Sequence, residues 1–311
     1  MNLQKIYAQS KIIKYIRAWF DAHGFEEMHV PRMVALPGQE PHLDPFWTEI
    51  IEIDGSTHPA ALITSPEYAM KKLLSAGCEK IYDLGPCFRN KEPRDSTHSS
   101  EFMMLEWYRR DAEIDTIMQD TEKMVMDIAK SYGIIPEILK KPWRKITVVD
   151  AWKKYIDIDL ILLLENREAI AEVASRLEQT ISESDSWEDI YFKIFLTYIE
   201  PRLGIEQPTF LYEYPKCMAA LARTTKNDNR FADRVELYIG EVEFANGFAE
   251  LSDPVEQRKR FEEERELRNK LGKKIWDIDE EFLSCLPCMG NAAGIAFGVD
   301  RLIMLLTQIG L

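Results

Sequence analysis

The side chains of this chain best suited to chemistry lie in the segment 88–108, where charged and aromatic residues surround a polar loop. Strand-forming residues run from Ile81 to Phe88 and again from Glu101 to Tyr108. This pattern predicts two antiparallel strands joined by a long loop. The hairpin is expected to bring four side chains to one mouth: Arg89, His98, Phe102 and Glu106.

The types of these side chains indicate a nucleotide site. A guanidinium binds a phosphate through two parallel hydrogen bonds, and an aromatic ring offers a face on which a purine stacks. Arg89 and Phe102 are the candidates for those two contacts. The alternative is an ordinary surface hairpin that carries an exposed arginine.

A second candidate site lies in the segment 235–251. If the chain reverses at Ile239-Gly240, Glu236 and Glu243 lie directly opposite each other on one face of a strand pair. Like charges in that position are destabilising unless something lies between them. Mg²⁺ takes carboxylate oxygens together with phosphate oxygens, so the pair predicts a magnesium site. The alternative is a hairpin whose glutamates point into water.

These segments need a framework of helices and strands to position them. The hydrophobic spacing and the capping residues predict helices at about 3–22, 66–76, 115–132, 165–179, 187–199 and 254–271, with strands at 25–30, 209–214 and 235–251. The predicted fold class is α+β, an antiparallel sheet flanked by helices. We expect a single domain over 1–311, with about 142–232 forming a helical insertion within it.

Composition limits the class of partner. The chain has 311 residues, 53 acidic and 39 basic side chains, and a net charge of −14. Proteins that hold nucleic acid usually show a basic face, because neutralising phosphates dominates their affinity. A tRNA partner is therefore not expected. The longest apolar run is too short to span a bilayer and no signal peptide is recognised, which predicts a cytoplasmic protein without a membrane partner.

The five cysteines are scattered along the chain, which suits a reducing compartment. Cys285 and Cys288 have the spacing of half a zinc site. Their partners would have to be Cys78 and Cys87, whose spacing fits no common zinc module. Buried or loop thiols are the favoured interpretation, and structural zinc is the alternative.

Three segments together resemble the sequence motifs of class II aminoacyl-tRNA synthetases. Segment 88–108 resembles motif 2, the segment 294–305 (Gly-Ile-Ala-Phe-Gly-Val-Asp-Arg-Leu-Ile-Met-Leu) resembles motif 3, and 12–31 resembles motif 1. The resemblance implies the class II catalytic fold, with Arg89 on the ATP α-phosphate, Phe102 on adenine and Arg301 on the γ-phosphate. Motif 1 implies a homodimer. The apolar face of its helix carries Ile12, Ile16, Trp19 and Phe20, which are otherwise ordinary core residues.

A closer resemblance is to the lysyl-tRNA synthetase paralogues that act as elongation factor P lysine ligases. The shared text is Thr-Ser-Pro-Glu-Tyr at 64–68, Glu-Phe-x-Met-Leu-Glu-Trp-Tyr-Arg at 101–109 and Ala-Asn-Gly-Phe-x-Glu-Leu at 245–251. The resemblance implies an AMP-forming, ATP-dependent ligase that activates (R)-β-lysine or lysine with Mg²⁺. It then transfers the acyl group to a lysine of elongation factor P.

The same resemblance implies the roles of individual residues. Those for ATP are Arg89, Glu92, His98, Phe102, Glu236, Glu243 and Arg301, with Glu236 and Glu243 also holding the metal. Those for the amino acid are Ser65, Glu67, Glu106, Tyr108, Asn246, Glu250 and Ala296. In this group Tyr108, Asn246 and Glu250 hold the ε-amine. Glu67 and Glu106 otherwise serve as helix-cap and strand-surface residues, and Ala296 otherwise fills a packing gap.

The chain departs from the family pattern in motif 2. The expected Arg-x-Glu is Arg89-Asn90-Lys91 here, with Glu92 one place late in a longer loop, and Ser99-Ser100 replace the usual Asn-Pro. These changes affect the expected contact with the edge of the adenine ring and the expected specificity for the acceptor.

Three other interpretations stay open. The first is a lysyl-tRNA synthetase core acting on tRNA, against which we expect no anticodon-binding barrel before motif 1. The second is an asparagine-synthetase-like core, whose substrate calls for a cation where Glu250 and Asn246 stand. The third is a non-catalytic paralogue, which is expected to have lost Arg89, Arg301 or a metal glutamate.

Overall fold

The computed structural model describes residues 3–93 and 98–308, which form two compact units. Of the described residues, unit 1 contains 3–93, 98–135 and 249–308, and unit 2 contains 136–248. The helices are α1 Leu3–Ala22, α2 Glu67–Ser75, α3 Ile114–Tyr132, α4 Val148–Ile156, α5 Arg167–Arg176, α6 Trp187–Tyr198, α7 Pro254–Lys270, α8 Glu280–Met289 and α9 Val299–Thr307. The strands are β1 Glu26–Glu27, β2 Met33–Val34, β3 Trp47–Ile51, β4 Thr57–Leu62, β5 Lys80–Phe88, β6 Glu101–Arg110, β7 Arg144–Thr147, β8 Thr209–Pro215, β9 Phe231–Ile239, β10 Val242–Ala249 and β11 Ala292–Gly298.

Unit 1 is built on a mostly antiparallel sheet. Its strands follow the order β1-β5-β6-β11, in which only β1 runs parallel to its neighbour β5. A separate three-stranded sheet has the order β2-β4-β3. The predicted motif 2 hairpin is confirmed as β5 and β6, which pair from Lys80 with Arg109 to Phe88 with Glu101.

Helix α1 covers the sheet of unit 1 with its apolar face. Ile12, Ile16 and Phe20 are fully buried, and the Phe20 ring stacks on Tyr82 at a centroid distance of 4.5 Å. Trp19 is 7 % exposed. These four side chains therefore form core within one protomer. For this face the alternative of ordinary core is what the structure shows, and the homodimer implied by motif 1 stays a prediction.

Unit 2 pairs its strands in the order β10-β9-β8-β7, with β7 parallel to β8 and the other pairs antiparallel. Helices α4, α5 and α6 enclose a separate apolar core that includes Trp152, Trp187 and Tyr191. Ser186 caps α6 reciprocally with Asp189, as its position before an apolar run favours.

Most predicted elements are confirmed with shifts of a few residues, and two predictions need correction. The predicted strand 25–30 is only β1, Glu26–Glu27, extended by one bond from Met28 N to Tyr82 O. Helix α8 was not predicted, and it carries both Cys285 and Cys288. Its internal Pro287 weakened the helical pattern in the sequence. The α+β fold class is confirmed. Within the described part of the chain, no helix has the length and apolar character needed to cross a membrane.

Candidate active site

The end of the β5–β6 hairpin places a guanidinium on an aromatic ring. Arg89 follows β5, its backbone N donates to Ser100 O at 2.9 Å, and its Cζ lies 5.0 Å from the centroid of the Phe102 ring. The Arg89 Nε is buried and has no hydrogen-bond partner among residues 3–93 and 98–308. A buried donor left without an acceptor is costly, so this nitrogen is well suited to an anionic ligand.

The other residues predicted at this mouth are not all gathered there. Glu92 and His98 lie on either side of residues 94–97, which are outside the described residues, and both are partly buried. Glu106 is in the middle of β6 and pairs with Asp83, rather than lying at the hairpin end. The expectation for Glu106 is therefore corrected: strand length carries it away from Arg89 along β6.

Arg301 is held at the start of α9, immediately after β11. The neighbouring Asp300 accepts a hydrogen bond from Met103 N of β6 at 2.7 Å. Burial raises the pKa of Asp300. Through this bond the first turn of α9 is fixed to the strand that carries Phe102. The motif 2 and motif 3 segments are thus joined inside unit 1.

A buried acidic cluster occupies the centre of unit 1. The Ser65 hydroxyl donates to the Glu106 carboxylate, and the Tyr108 hydroxyl donates to its other oxygen at 2.8 Å. Glu67 N donates to Ser65 Oγ at 3.1 Å at the start of α2. Glu250 is 2 % exposed. These hydrogen bonds connect four of the residues predicted to bind the amino acid: Ser65, Glu67, Glu106 and Tyr108.

Burial is the largest influence on the pKa of Glu106, and the charge of the nearby Glu67 shifts this pKa in the same direction. Together they raise the pKa of Glu106 to about 8, although the Ser65 and Tyr108 hydrogen bonds oppose the shift. A carboxyl group with that pKa is largely protonated at pH 7. Glu106 therefore contributes little negative charge to the cluster near neutral pH.

Lys71 also belongs to this buried cluster, although it was not among the predicted site residues. Its Nζ lies 2.5 Å from Glu67 Oε1 and 2.6 Å from Glu250 Oε2, and its side chain is 1 % exposed. The two carboxylates raise the pKa of Lys71 against the effect of burial, so the amine stays charged. The sequence did hold a signal, since Glu67 and Lys71 have the i,i+4 spacing of a helical ion pair.

Ala296 and Gly294 face this cluster from β11. The register pairs Ala296 with Glu106 and Gly294 with Tyr108. A β-carbon on Gly294 would lie 2.2 Å from Cδ1 of the Tyr108 ring, so only glycine leaves space for the ring there. Gly294 was not among the predicted site residues. It positions the tyrosine whose hydroxyl bonds Glu106.

Glu236, in unit 2, accepts hydrogen bonds from three donors among the described residues. Its Oε1 accepts from Arg234 at 2.7 Å, and its Oε2 accepts from Tyr238 at 2.6 Å and from Tyr214. Glu236 is only 6 % exposed. A carboxylate offers about four lone-pair positions, so one position is left for another partner.

The β9–β10 register differs from the one expected. Glu243 pairs with Tyr238, because the chain reverses at Gly240-Glu241 and not at Ile239-Gly240. A bulge between Glu243 and Ala245 then shifts the pairing by one residue and places Asn246 opposite Glu236. The two glutamates thus lie diagonally on one face rather than directly opposite. Asn246 Oδ1 is buried and lacks a hydrogen-bond donor within the described residues. A buried amide oxygen of this kind is suited to accept from an amine.

Glu236 and Glu243 together offer hard oxygen donors of the type that Mg²⁺ takes with phosphate oxygens. The remaining position on Glu236 and the partly exposed Glu243 fit a metal that obtains its other ligands from a nucleotide or water. Among the residues that the structure describes, no group of three or more His, Cys, Asp or Glu is arranged for a metal ion. This includes Cys285, whose Sγ donates instead to Phe282 O at 3.1 Å.

Comparison with known proteins shows the family of the chain. The family model for class II tRNA synthetases (D, K and N) matches residues 2–310. The chain is 35% identical over 308 residues to the elongation factor P--(R)-beta-lysine ligase of Proteus mirabilis, covering 98% of this chain and 91% of that protein. It is 36% identical over 309 residues to the ligase of the same name from Photorhabdus laumondii subsp. laumondii, covering 97% and 91%.

A lysine--tRNA ligase is also similar. The enzyme of Listeria welshimeri is 34% identical over 309 residues, which cover 96% of this chain but 60% of that protein. The motif segments, the α+β fold and the match along nearly the whole chain agree. This protein belongs to the class II tRNA synthetase family that includes the aspartyl, lysyl and asparaginyl enzymes.

Proposed function

We propose that this protein is an ATP-dependent ligase that activates (R)-β-lysine or lysine as an aminoacyl-adenylate and transfers it to a lysine of elongation factor P. The observation that carries the proposal is the buried cluster of Glu67, Glu106 and Glu250 in a class II synthetase fold. Carboxylates in a buried site suit a substrate that carries ammonium groups, because an ammonium supplies both charge and donors. The full-length similarity to two ligases of this name supports the choice of acceptor.

In the first step the substrate carboxylate attacks the α-phosphorus of ATP, a P–O bond forms, and pyrophosphate leaves. No protein nucleophile is required. Arg89, whose buried Nε lacks a partner among the described residues, is proposed to neutralise the α-phosphate, and Phe102 to stack on adenine. Arg301 and His98 are proposed to neutralise the other phosphates. Positioning and charge neutralisation account for the catalysis in such a step.

In the second step the neutral amine of the acceptor lysine attacks the acyl carbon of the mixed anhydride. A C–N bond forms, the C–O bond to AMP breaks, and the amine proton leaves to the phosphate of AMP. We assign the substrate's ε-amine to Glu250, Tyr108 and Asn246, whose Oδ1 lacks a donor among the described residues. Ser65 and Glu67 are assigned to the reacting end.

Mg²⁺ is proposed to be held by Glu243 and by the remaining position on Glu236, and it would supply positive charge to the phosphates. Glu243→Gln tests this assignment, with Glu241→Gln at the exposed turn as the matched control. Mg²⁺ should raise the melting temperature of the wild type bound to a non-hydrolysable ATP analogue, and should not do so in Glu243→Gln. An equal rise in both proteins would rule out Glu243 as a ligand.

A homodimer is proposed from the motif 1 resemblance alone, since the apolar face of α1 is core in one protomer. Light scattering at micromolar concentration tests it. A monomer at that concentration would contradict the proposal.

ATP–pyrophosphate exchange with a panel of amino acids tests the activation step. Transfer of labelled product to elongation factor P and to tRNA, measured side by side at physiological salt, tests the acceptor. The net charge of −14 favours the protein acceptor over a polyanion. Efficient tRNA charging with elongation factor P left unmodified would favour the second candidate, a lysyl-tRNA synthetase-like activity, which the similarity to the Listeria enzyme supports.

A further inference from the structure

Hydrogen bonds to α7 and to the residues that follow α7 fix the segment between β2 and β3. Arg268 of α7 is 1 % exposed, and its Nη1 donates to Glu40 O at 2.8 Å and Leu43 O at 2.9 Å. The Trp276 indole donates to Pro37 O at 2.9 Å, and Gln39 Nε2 donates to Asp277 O at 3.1 Å. A backbone fixed in this way orients its side chains without help from a ligand.

The carboxylate of Glu40 has no role in that network. Its Oε2 is buried and has no hydrogen-bond donor within residues 3–93 and 98–308, although Glu40 as a whole is partly exposed. The carboxylate lies against Gly38, where a β-carbon would be 2.2 Å from Oε2. A buried acceptor without a donor costs free energy, so a fixed segment that keeps one there is prepared for a donor from outside.

Glu40 shares a cavity with two of the predicted substrate residues. The cavity of about 40 Å³ is lined by Glu40, Ser65 and Glu67, and most of its other walls are apolar. That volume holds a group of the size of a water molecule or an ammonium. Burial, and after it the Glu67 charge, raises the pKa of Glu40 against the opposing charges of Arg89 and Arg268.

Charge requirements point to the ligand. Glu67 and Glu250 share the ammonium of Lys71, so together they leave a single unit of negative charge, enough for one substrate ammonium. A lysine or β-lysine carries two ammonium groups. The second ammonium still needs a hydrogen-bond acceptor of its own. Oε2 of Glu40, which has no donor among the described residues, meets that need at the cavity with Ser65 and Glu67.

We propose that Glu40 binds the amino group on the α- or β-carbon of the substrate and so selects diamino acids over acids that have a terminal amine alone. This inference rests on the proposed function. It assigns a specificity-determining contact to a residue outside the three motif segments.

The test compares Glu40→Gln with the wild type on two kinds of substrate. Lysine and (R)-β-lysine carry both amino groups, whereas 6-aminohexanoic acid has the same terminal amine and carboxylate without the second amine. Glu40→Gln should lower kcat/KM in pyrophosphate exchange about 10- to 100-fold for the better diamino acid, the value of a hydrogen bond to a charged group. The value for 6-aminohexanoic acid should change less than about twofold. If its exchange is too slow, its inhibition constant against the diamino acid replaces kcat/KM.

Gly38→Ala provides a second variant that keeps the acid but displaces it. The added β-carbon collides with Oε2, and Gly38 does not adopt the left-handed region, so the backbone tolerates alanine. The same selective loss is expected. Glu264→Gln, a partly buried acid near Glu40 that does not line the cavity, is the control and should leave the ratio unchanged.

The possible results distinguish a failure of this inference from a failure of the proposed function. Equal losses for both kinds of substrate in Glu40→Gln would show a structural role, and no loss for the diamino acid would show that Glu40 does not contact it. Either result overturns the inference. A wild type that activates neither diamino acid would instead overturn the proposed function.

Discussion

The ammonium of Lys71 lies 2.6 Å from the carboxylate of Glu250, and the side chain of each is at most 1 % exposed. The same ammonium also binds Glu67, so a single cation joins helix α2 to the residue that follows β10. Without it, two carboxylates would be left in the buried centre of unit 1. Breaking a buried ion pair by removing one partner costs far more than the pair contributes.

Lys71→Met should therefore destabilise the protein by about 3–5 kcal/mol, because it leaves buried carboxylates without a counter-charge. Urea unfolding at pH 7.5 measures the change in the free energy of unfolding. Lys72→Met is the matched control on the next residue. Lys72 forms partly exposed ion pairs with Asp279 and Glu281, so Lys72→Met should lower the free energy of unfolding by less than about 1 kcal/mol. Similar losses in both variants would contradict the assigned role of Lys71.

Gly294→Ala should displace the Tyr108 ring, since the new β-carbon would be 2.2 Å from it. Overpacking of this kind costs about 1–3 kcal/mol of stability. The coupling can be measured by a double-mutant cycle with Tyr108→Ala, in which the ring is already absent. Gly294→Ala is expected to cost little in that background. If it costs as much as in the wild type, the glycine is needed for some other reason.

Glu106 predicts the direction of a pH effect on stability. Its pKa in the folded protein is about 8, raised from an ordinary value of 4.5, so the folded state holds this proton more tightly than the unfolded state. The protonated Glu106 therefore stabilises the folded state fully below pH 4.5. This stabilisation is lost as pH rises towards 8, and the free energy of unfolding falls by no more than about 1.4 kcal/mol per pH unit.

Glu106→Gln imitates the protonated group and should reduce that pH dependence. Unfolding curves at pH 5, 6.5 and 8.5 for both proteins give the comparison. The free energy of unfolding of the variant should rise relative to that of the wild type as pH increases. Parallel profiles for the two proteins would show that Glu106 does not keep its proton in the folded state.

Ala296→Gly should shift the preference between α-lysine and β-lysine. Ala296 pairs with Glu106 across β11 and β6, which places its methyl group beside the cluster proposed to bind the amino acid. Removing the methyl should relieve crowding of an α-amino group. A single carbon in a pocket changes discrimination between substrates by about 1–3 kcal/mol, so we expect at least about a tenfold rise in activation of α-lysine relative to β-lysine.

Pyrophosphate exchange with both isomers measures that ratio. Ala293→Gly, which lies on the opposite face of the same strand and pairs with Arg109, is the control for loosening of β11. An unchanged ratio in Ala296→Gly would mean that the methyl is packing alone.

The sequence by itself determined the local elements and the motif segments. The hairpin of β5 and β6, helix α1 and the strand-to-helix junction at Arg301 follow from hydrophobic period and turn residues, which are properties of neighbouring positions. The residue types at Arg89 and Phe102 also indicated their chemistry, because few side chains can bind a phosphate or stack on a base.

The tertiary structure decided which charges meet and which faces are buried. The turn at Gly240-Glu241 set the register of Glu243 against Tyr238, and the bulge in β10 set that of Asn246 against Glu236. Neither shift can be read from alternation. Lys71 meets Glu250, and Glu40 shares a cavity with Glu67, only because segments distant in sequence pack together. The apolar face of α1 had the same pattern whether it met a partner or its own sheet. Hydrophobic patterning records that a face must be covered, but only the folded chain determines what covers it.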